Sequence, residues 1–286
     1  MVSISPTTHY ELYHDWCKAL AFCQALPDIA PTRPVTFHML WRQRRRGFGR
    51  RVRPFGRRQA LPVKAFLSTQ DLLRCSLVLW SDEDLSANEW LRPLAPFLSF
   101  RCYDPEAEVR GTLLEHSPRL YRQQDHKVWR DGDLFRLLAL HNYGGVYVDM
   151  DMVLLRNLGV LLDQEFVYQW QDYDHAYNGA LMHLWQGSEF ARELIAGVLE
   201  IPPGQFNWGA KNLRRAIERG RSITVFPCAF FNTEWQADPH FKPFRKTPNS
   251  GRIEEGSKFQ RIEARVDEKL MQMGLPAEAL APASGS

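Results

Sequence analysis

The sequence predicts an α/β protein whose mainly parallel sheet is flanked by helices. Three observations lead there. Short β-branched or aromatic runs alternate with stretches whose apolar residues recur every three or four positions. Runs such as "SLVLWSD" read as strands that end in polar residues. The chain has 286 residues, 44% of them hydrophobic, which is one large domain or two small ones with a sizeable core.

The elements follow in order. Residues 8–26 read as a helix, with Tyr13, Trp16, Leu20 and Cys23 three or four apart, and Pro27, Pro31 and Pro34 then break the chain. "VTFHMLW" (35–41) is a strand. "RQRRRGFGRRVRPFGRR" (42–58) holds nine arginines, three glycines and no acid, so it reads as a loop that packs no core. "AFLSTQDLLRC" (65–75) reads as a helix with Ser68 or Thr69 as cap, and "SLVLWSD" (76–82) and "LSFRCYD" (98–104) as strands.

In "DGDLFRLLALHNYGGVYVDMD" (131–151), Asp131 or Asp133 stands where an N-cap belongs. Leu134, Phe135, Leu137, Leu138 and Leu140 form an apolar face, and Gly144 and Gly145 stop the helix. "VYVDMDMVLL" (146–155), "EFVYQW" (165–170), "NGALMHL" (178–184) and "SITVFP" (222–227) read as further strands. "SEFARELIAGVLE" (188–200) and "NLRRAIERG" (212–220) read as helices, the second ended by Gly220. "QRIEARVDEKLMQM" (260–273) is a peripheral helix with Ile262, Val266, Leu270 and Met273 on one narrow face, followed by a flexible "APASGS". The expected division is an N-terminal helical segment (1–34), a central domain (35–240) and a C-terminal helix and tail (241–286).

The bulk properties exclude several classes. No apolar run reaches 18 residues, so no transmembrane helix is expected; "CKALAFCQAL" (17–26) is too short and lacks a basic leader before it. The five cysteines are scattered and form no CxxC pair, which argues for buried free thiols and a reducing compartment rather than zinc or disulfides. The net charge is only +3, but the arginine stretch concentrates it. With Phe48 and Phe55 interleaved, that stretch is suited to nucleic acid or anionic lipid headgroups.

The polar residues of 131–151 carry the chemistry. On a strand, Tyr147, Asp149 and Asp151 share one face, the two carboxylates about 6.5–7 Å apart. Two such acids suit one hard cation completed by substrate phosphates. Asp133 and Arg136, three apart on a helix, share a face as well. A two-metal phosphoesterase would need further acids and histidines, and the nine histidines do not gather near Asp149.

The pattern Asp-x-x-Arg, apolar helix, Gly-Gly-x-Tyr-x-Asp-x-Asp resembles glycosyltransferases with a DXD motif and a sugar-binding region. These include the family-32 enzymes, and the catalytic domains of large clostridial glucosylating toxins are similar in the same block. The resemblance is strong over residues 125–185 and weaker over 35–235. It implies a GT-A-type nucleotide-sugar-binding fold, with 35–240 as the catalytic domain. It also implies retention at the anomeric carbon and a hexose moved from a nucleotide sugar to a glycan, glycolipid or protein. A UDP-hexose donor is expected ahead of GDP-mannose.

By the same resemblance, Asp149 and Asp151 bind Mn²⁺ or Mg²⁺, and Asp133 and Arg136 hold the donor sugar. Tyr147 lines the donor site and Trp41 stacks on the base. Asn178 in "YNGALM" contacts the donor, and Trp208 and Gly209 in "NWGA" line the acceptor side. The family's late His or Ser-x-Trp element has no clean counterpart after "FPCAFFNTEWQADPH"; His240 is the candidate third metal contact, with Trp235 and Asn232 beside it. For such a transferase the arginine stretch (42–58) favours peripheral membrane contact over nucleic acid. The expected location is the cytoplasm or a membrane surface, or the Golgi lumen if an N-terminal anchor has been removed. The rival readings are a nucleotide-sugar hydrolase, and a basic nucleic-acid- or membrane-binding protein on a degenerate transferase fold.

Overall fold

The sheet forms where the sequence places its β-branched and aromatic runs. In the computed structural model, the structure describes residues 16–43, 54–122, 129–169, 177–200, 208–227, 230, 256–277 and 280. Among these residues the strands are β1 (Val35–Trp41), β2 (Cys75–Ser81), β3 (Leu98–Cys102), β4 (Gly145–Val148), β5 (Phe166–Gln169), β6 (Tyr177–Leu184) and β7 (Thr224–Phe226). They lie in one sheet in the order β3-β2-β1-β4-β6-β5-β7. β1 is parallel to β2 and β4, β2 to β3, and β5 to β7, whereas β6 runs antiparallel between β4 and β5. The expectation of a mainly parallel α/β sheet holds, with β6 as the reversed strand.

The helices are α1 (Trp16–Ala25), α2 (Arg57–Thr69), α3 (Pro105–Glu108), α4 (Pro118–Tyr121), α5 (Trp129–Tyr143), α6 (Glu189–Glu200), α7 (Ala210–Glu218) and α8 (Lys258–Gln272). Residues 8–15 of the predicted first helix lie outside the described residues. Apolar side chains divide between the two faces of the sheet. Phe37, Met39, Leu77, Leu79, Val146 and Val148 pack with Phe66 of α2 and Phe259 and Leu270 of α8. Trp80, Tyr147, Met182 and Leu184 pack with α5, α6 and α7 on the other face. This is the alternation expected of strands buried on both sides. None of the described helices is long and apolar enough to cross a membrane.

Four expectations change. The helix predicted at 65–75 is α2, which starts at Arg57 and ends at Thr69. Ser68 and Thr69 do not cap its start; their hydroxyls donate back to the Ala65 carbonyl at its end. Arginines and Pro62 disguised the first turns, yet Ala60, Leu61 and Val63 are buried there. The stretch 42–58 is therefore not a loop throughout: Arg57 and Arg58 are helical, and Phe55 is buried edge-on to Trp41, ring centres 6.2 Å apart. Residues 44–53, with Phe48, lie outside the described residues.

On α8, Phe259 rather than Met273 completes the buried face, and Met273 is exposed. Two ion pairs join this helix to α2: Arg57 to Glu263 at 2.6 Å and buried Lys64 to Asp267 at 3.0 Å. Among the cysteines, Cys23 and Cys75 are buried, but Cys17 and Cys102 are exposed, because α1 turns Cys17 outward and β3 is an edge strand. Burial, aided by the Asp71 carboxylate, pushes the Cys75 thiol up to about 12. Cys228 lies outside the described residues.

The link from α5 to β4 depends on two glycines. Gly144 and Gly145 have φ of 68° and 92°, where an L side chain is strained. A Cβ on Gly145 would stand 2.0 Å from the Thr36 carbonyl oxygen of β1, and one on Gly144 would stand 2.5 Å from the Gln186 nitrogen. Gly145→Ala is expected to cost more than about 2 kcal/mol in denaturant titrations, because strain and a backbone clash add. Gly187→Ala, at φ 59° with open space around it, should cost only roughly 1 kcal/mol from strain alone. Equal losses would remove the steric argument.

Two buried histidines make the fold sensitive to acid. His38 and His183 are both lowered to about 4, chiefly by burial, from an ordinary 6.5. Their folded values are depressed, so the unfolded chain binds more protons between those limits. Their stabilising contribution is complete above pH 6.5 and is lost as pH falls towards 4. The loss is expected to reach roughly 3 kcal/mol per histidine. An NMR titration placing either imidazole near 6.5 would remove this source of acid sensitivity.

Candidate active site

The carboxyl ends of β1 and β4 meet where the sheet order reverses. From β1 the sheet continues to β2 on one side and to β4 on the other. Open α/β sheets bind ligands at such a switch point. Arg42, the first residue after β1, is buried there. Its guanidinium lies 3.4 Å from Asp82 and 3.1 Å from Asp131, over the ring of Tyr103. The Gln43 amide also donates to Asp82 at 2.7 Å. Arg42 thus ties the ends of β1 and β2 to the start of α5.

α5 begins at Trp129, so Asp131 and Asp133 lie within the helix and not at its N-cap. An acidic first turn still complements the helix dipole. One turn on, Arg136 points to the end of β4. Its Nη2 is 3.2 Å from Asp133 Oδ1 and 3.5 Å from Asp149 Oδ1, and its guanidinium lies 5.0 Å from the centre of the Tyr147 ring. The Tyr147 hydroxyl donates to the same Asp149 oxygen at 2.5 Å. Burial opposes the arginine's charge, but Asp149 and then Asp133 outweigh it and raise its pKa further. Burial, then the Asp149 carboxylate, holds the Tyr147 phenol well above its usual range, so Tyr147 stays a hydrogen-bond donor.

The strand predicted at 146–155 ends at Val148, which corrects the alternation argument for the two aspartates. Asp149 still continues the ladder by donating its amide to the Ala180 carbonyl at 2.7 Å. The chain then turns, closed by the Met152 amide on the Asp149 carbonyl at 2.9 Å. Aspartates are poor strand formers, and β1 pairs with β4 only through Phe37 and His38, so β4 is short. Asp151 is exposed on this turn and the Asp149 side chain is 28% exposed.

Two glycines close over the pair. A Cβ on Gly179 of β6 would lie 3.2 Å from Arg136 Nη1, and one on Gly209, before α7, would lie 3.0 Å from Asp133 Oδ1. Gly209 therefore adjoins the sugar-binding candidates directly. Asn178 is half-buried, its side-chain oxygen accepting the Ala180 amide at 2.8 Å. Trp41 and Trp208 are buried in the core on opposite faces of the sheet. His240, Trp235 and Asn232 lie outside the described residues.

The structure thus brings Asp133, Arg136, Tyr147, Asp149 and Gly209 together. Sequence reasoning missed Arg42, Asp82 and Gly179. The charge of Arg42 was hidden in the arginine run, although Asp82 already closed a predicted strand. A cavity of about 240 Å³ beside the ends of β2 and β3, lined by Ser81, Glu83, Asp84, Arg101 and Cys102 among others, contains none of the predicted residues.

A divalent cation can be tested against the donor set. Both side-chain hydrogen bonds to Asp149 fall on Oδ1, so Oδ2 is left for another ligand. Asp151 stands exposed on the same turn. Among the described residues no group of three or more His, Cys, Asp or Glu side chains comes together to hold a metal. Two carboxylates completed by substrate oxygens suit Mg²⁺ or Mn²⁺, which seldom take a full protein cage.

Residues 66–168 match the family described as "Glycosyltransferase sugar-binding region containing DXD motif". That region of similarity to DXD-type glycosyltransferases spans about a third of the chain. The matched span contains Asp133, Arg136, Tyr147, Asp149 and Asp151. None of the curated proteins compared with this chain matches it. Among solved structures, it is similar to "PaToxG Glycosyltransferase" at TM-score 0.49 and 12% identity, over 75% of this chain and 80% of that one. A second, titled "Structure of Transferase", is similar at TM-score 0.43 and 13% identity, over 68% of this chain and 88% of that one.

Arg42→Ala is expected to destabilise the protein by about 3 kcal/mol, because it removes a buried cation from between two carboxylates. Urea denaturation checks this; a change under half that size would show that Asp82 and Asp131 are satisfied without it.

Proposed function

We propose that the chain is a metal-dependent, retaining glycosyltransferase with a GT-A fold. It would move a hexose from a nucleotide sugar, UDP-hexose ahead of GDP-mannose, to a glycan, glycolipid or protein acceptor. The observation that carries this reading is the convergence of Asp133, Arg136, Tyr147 and Asp149 at the carboxyl ends of β1 and β4. The family match over the same residues supports it.

In this reading Asp149 and Asp151 would hold Mn²⁺ or Mg²⁺, which when bound offsets the charge of a leaving nucleoside diphosphate. Asp133 accepts hydrogen bonds from sugar hydroxyls, and Arg136 donates to the sugar or the diphosphate. Tyr147, kept protonated, fixes the orientation of Asp149. Retention is assigned to a front-face displacement. The bond from the anomeric carbon to the phosphate oxygen breaks, and the acceptor oxygen bonds to the same face. The acceptor's proton passes to the leaving phosphate. Such a path asks the protein chiefly for position and electrostatics. The proposed place of action is the cytoplasm or a membrane surface, the latter reached through the basic stretch 42–58.

A thermal-shift screen of nucleotide sugars with Mn²⁺ identifies the donor, because a bound donor stabilises the fold by mass action. With that donor, Asp149→Ala is expected to lower the rate of sugar transfer by about 10²–10³-fold and Tyr147→Phe by roughly tenfold. Transfer near the wild-type rate in Asp149→Ala would show the metal assignment to be wrong.

A further inference from the structure

We infer that Arg136 is the resident counter-cation of Asp149 and sets how readily that carboxylate accepts a divalent metal. The inference rests on the metal reading above and concerns what the chain does at the site before a donor arrives.

Asp149 Oδ1 is already engaged twice, by the Tyr147 hydroxyl at 2.5 Å and by Arg136 Nη2 at 3.5 Å. The arginine and a metal ion are both cations facing one carboxylate, so each weakens the other's hold on it. The arginine has little room to withdraw. Asp133 holds Nη2 at 3.2 Å, the Tyr147 ring underlies the guanidinium, and the Gly179 backbone crowds Nη1 so closely that a methyl there would lie 3.2 Å away. Arg136 Nε is buried and makes no hydrogen bond, so charge and not a full hydrogen-bond set holds the side chain in place. The carboxylate therefore meets a metal with its charge partly spent on the protein's own cation.

Two consequences follow. Metal alone binds weakly, since it must share Asp149 with Arg136. A ligand that adds negative oxygens, as a diphosphate does, gives both cations a further partner and relieves the competition. Metal and donor binding then favour one another, and Arg136 is the group through which they are coupled. Asp133 tempers the effect, because it takes part of the arginine's charge away from Asp149.

The test is direct Mn²⁺ binding by the full chain, read by electron paramagnetic resonance of the free ion at fixed ionic strength without donor. Arg136→Gln is expected to tighten binding by about tenfold or more. Asp133→Asn is expected to weaken it severalfold, since Arg136 then leans on Asp149 alone. Asp149→Asn should lower binding in the wild-type and Arg136→Gln backgrounds alike. If Asp149→Asn binds Mn²⁺ as tightly as wild type, the metal reading itself fails. If Asp149→Asn weakens binding but Arg136→Gln does not tighten it, the metal reading stands and the counter-cation role is overturned. Should Arg136→Gln lose its fold by circular dichroism, Asp133→Asn decides the matter. Weaker binding supports the role, and unchanged or tighter binding overturns it.

Discussion

One largely buried guanidinium organises the structure around the end of β4. Arg136 leaves α5 and reaches Asp149 at the end of β4, with Asp133 as its second partner. Two unit charges about 4 Å apart attract by about 4 kcal/mol in a medium of intermediate polarity. Removing them from water consumes much of that gain, so the triad contributes little net stability. Its consequence is geometric. It holds the start of a helix against the end of a strand, and every neighbouring element accommodates it. β6 presents Gly179 and the approach to α7 presents Gly209, because any larger residue would press on the guanidinium or on Asp133.

The turn between α5 and β4 makes that geometry reproducible. Gly144 and Gly145 take positive φ, and Gly145 lets β4 approach the backbone of β1. His38 adds a third constraint from β1. The Trp80 indole N–H can only donate, and it lies 3.2 Å from His38 Nδ1. Nδ1 therefore accepts, and Nε2 carries the proton that is donated to the Gly144 carbonyl at 3.0 Å. Both ring nitrogens are used by the neutral tautomer, which agrees with the lowered pKa. A buried histidine on the neighbouring strand, paired with Tyr147, thus helps set the register of the link between Asp133 and Asp149.

The start of the arginine-rich stretch has a structural role at the same edge. Arg42 binds Asp82 and Asp131, and Phe55 packs against Trp41. Arg57 then joins α2 to Glu263 of α8, while Lys64 joins it to Asp267. Cations that read as surface charge are partners of specific carboxylates far away in the sequence. Each of these contacts ties an element of the sheet's first half to something distant in the chain.

Sequence by itself determined the class of fold and made the heart of the candidate site legible. Strand runs such as "VTFHMLW" and "SLVLWSD" specify their own burial, because alternation and β-branching act over a few residues. Asp133 and Arg136 were legible as a pair since helical spacing alone places them together. What the tertiary structure decided depends on distant partners. It ended β4 at Val148, where the chain turns after one further bond to β6, and so put the two aspartates on a turn. It set Arg136 between Asp133 and Asp149, revealed the space that Gly179 and Gly209 leave, and buried Arg42 between acids 40 and 89 residues away. Charge pairing and steric room depend on which backbones pass nearby, and only the folded chain brings those backbones together.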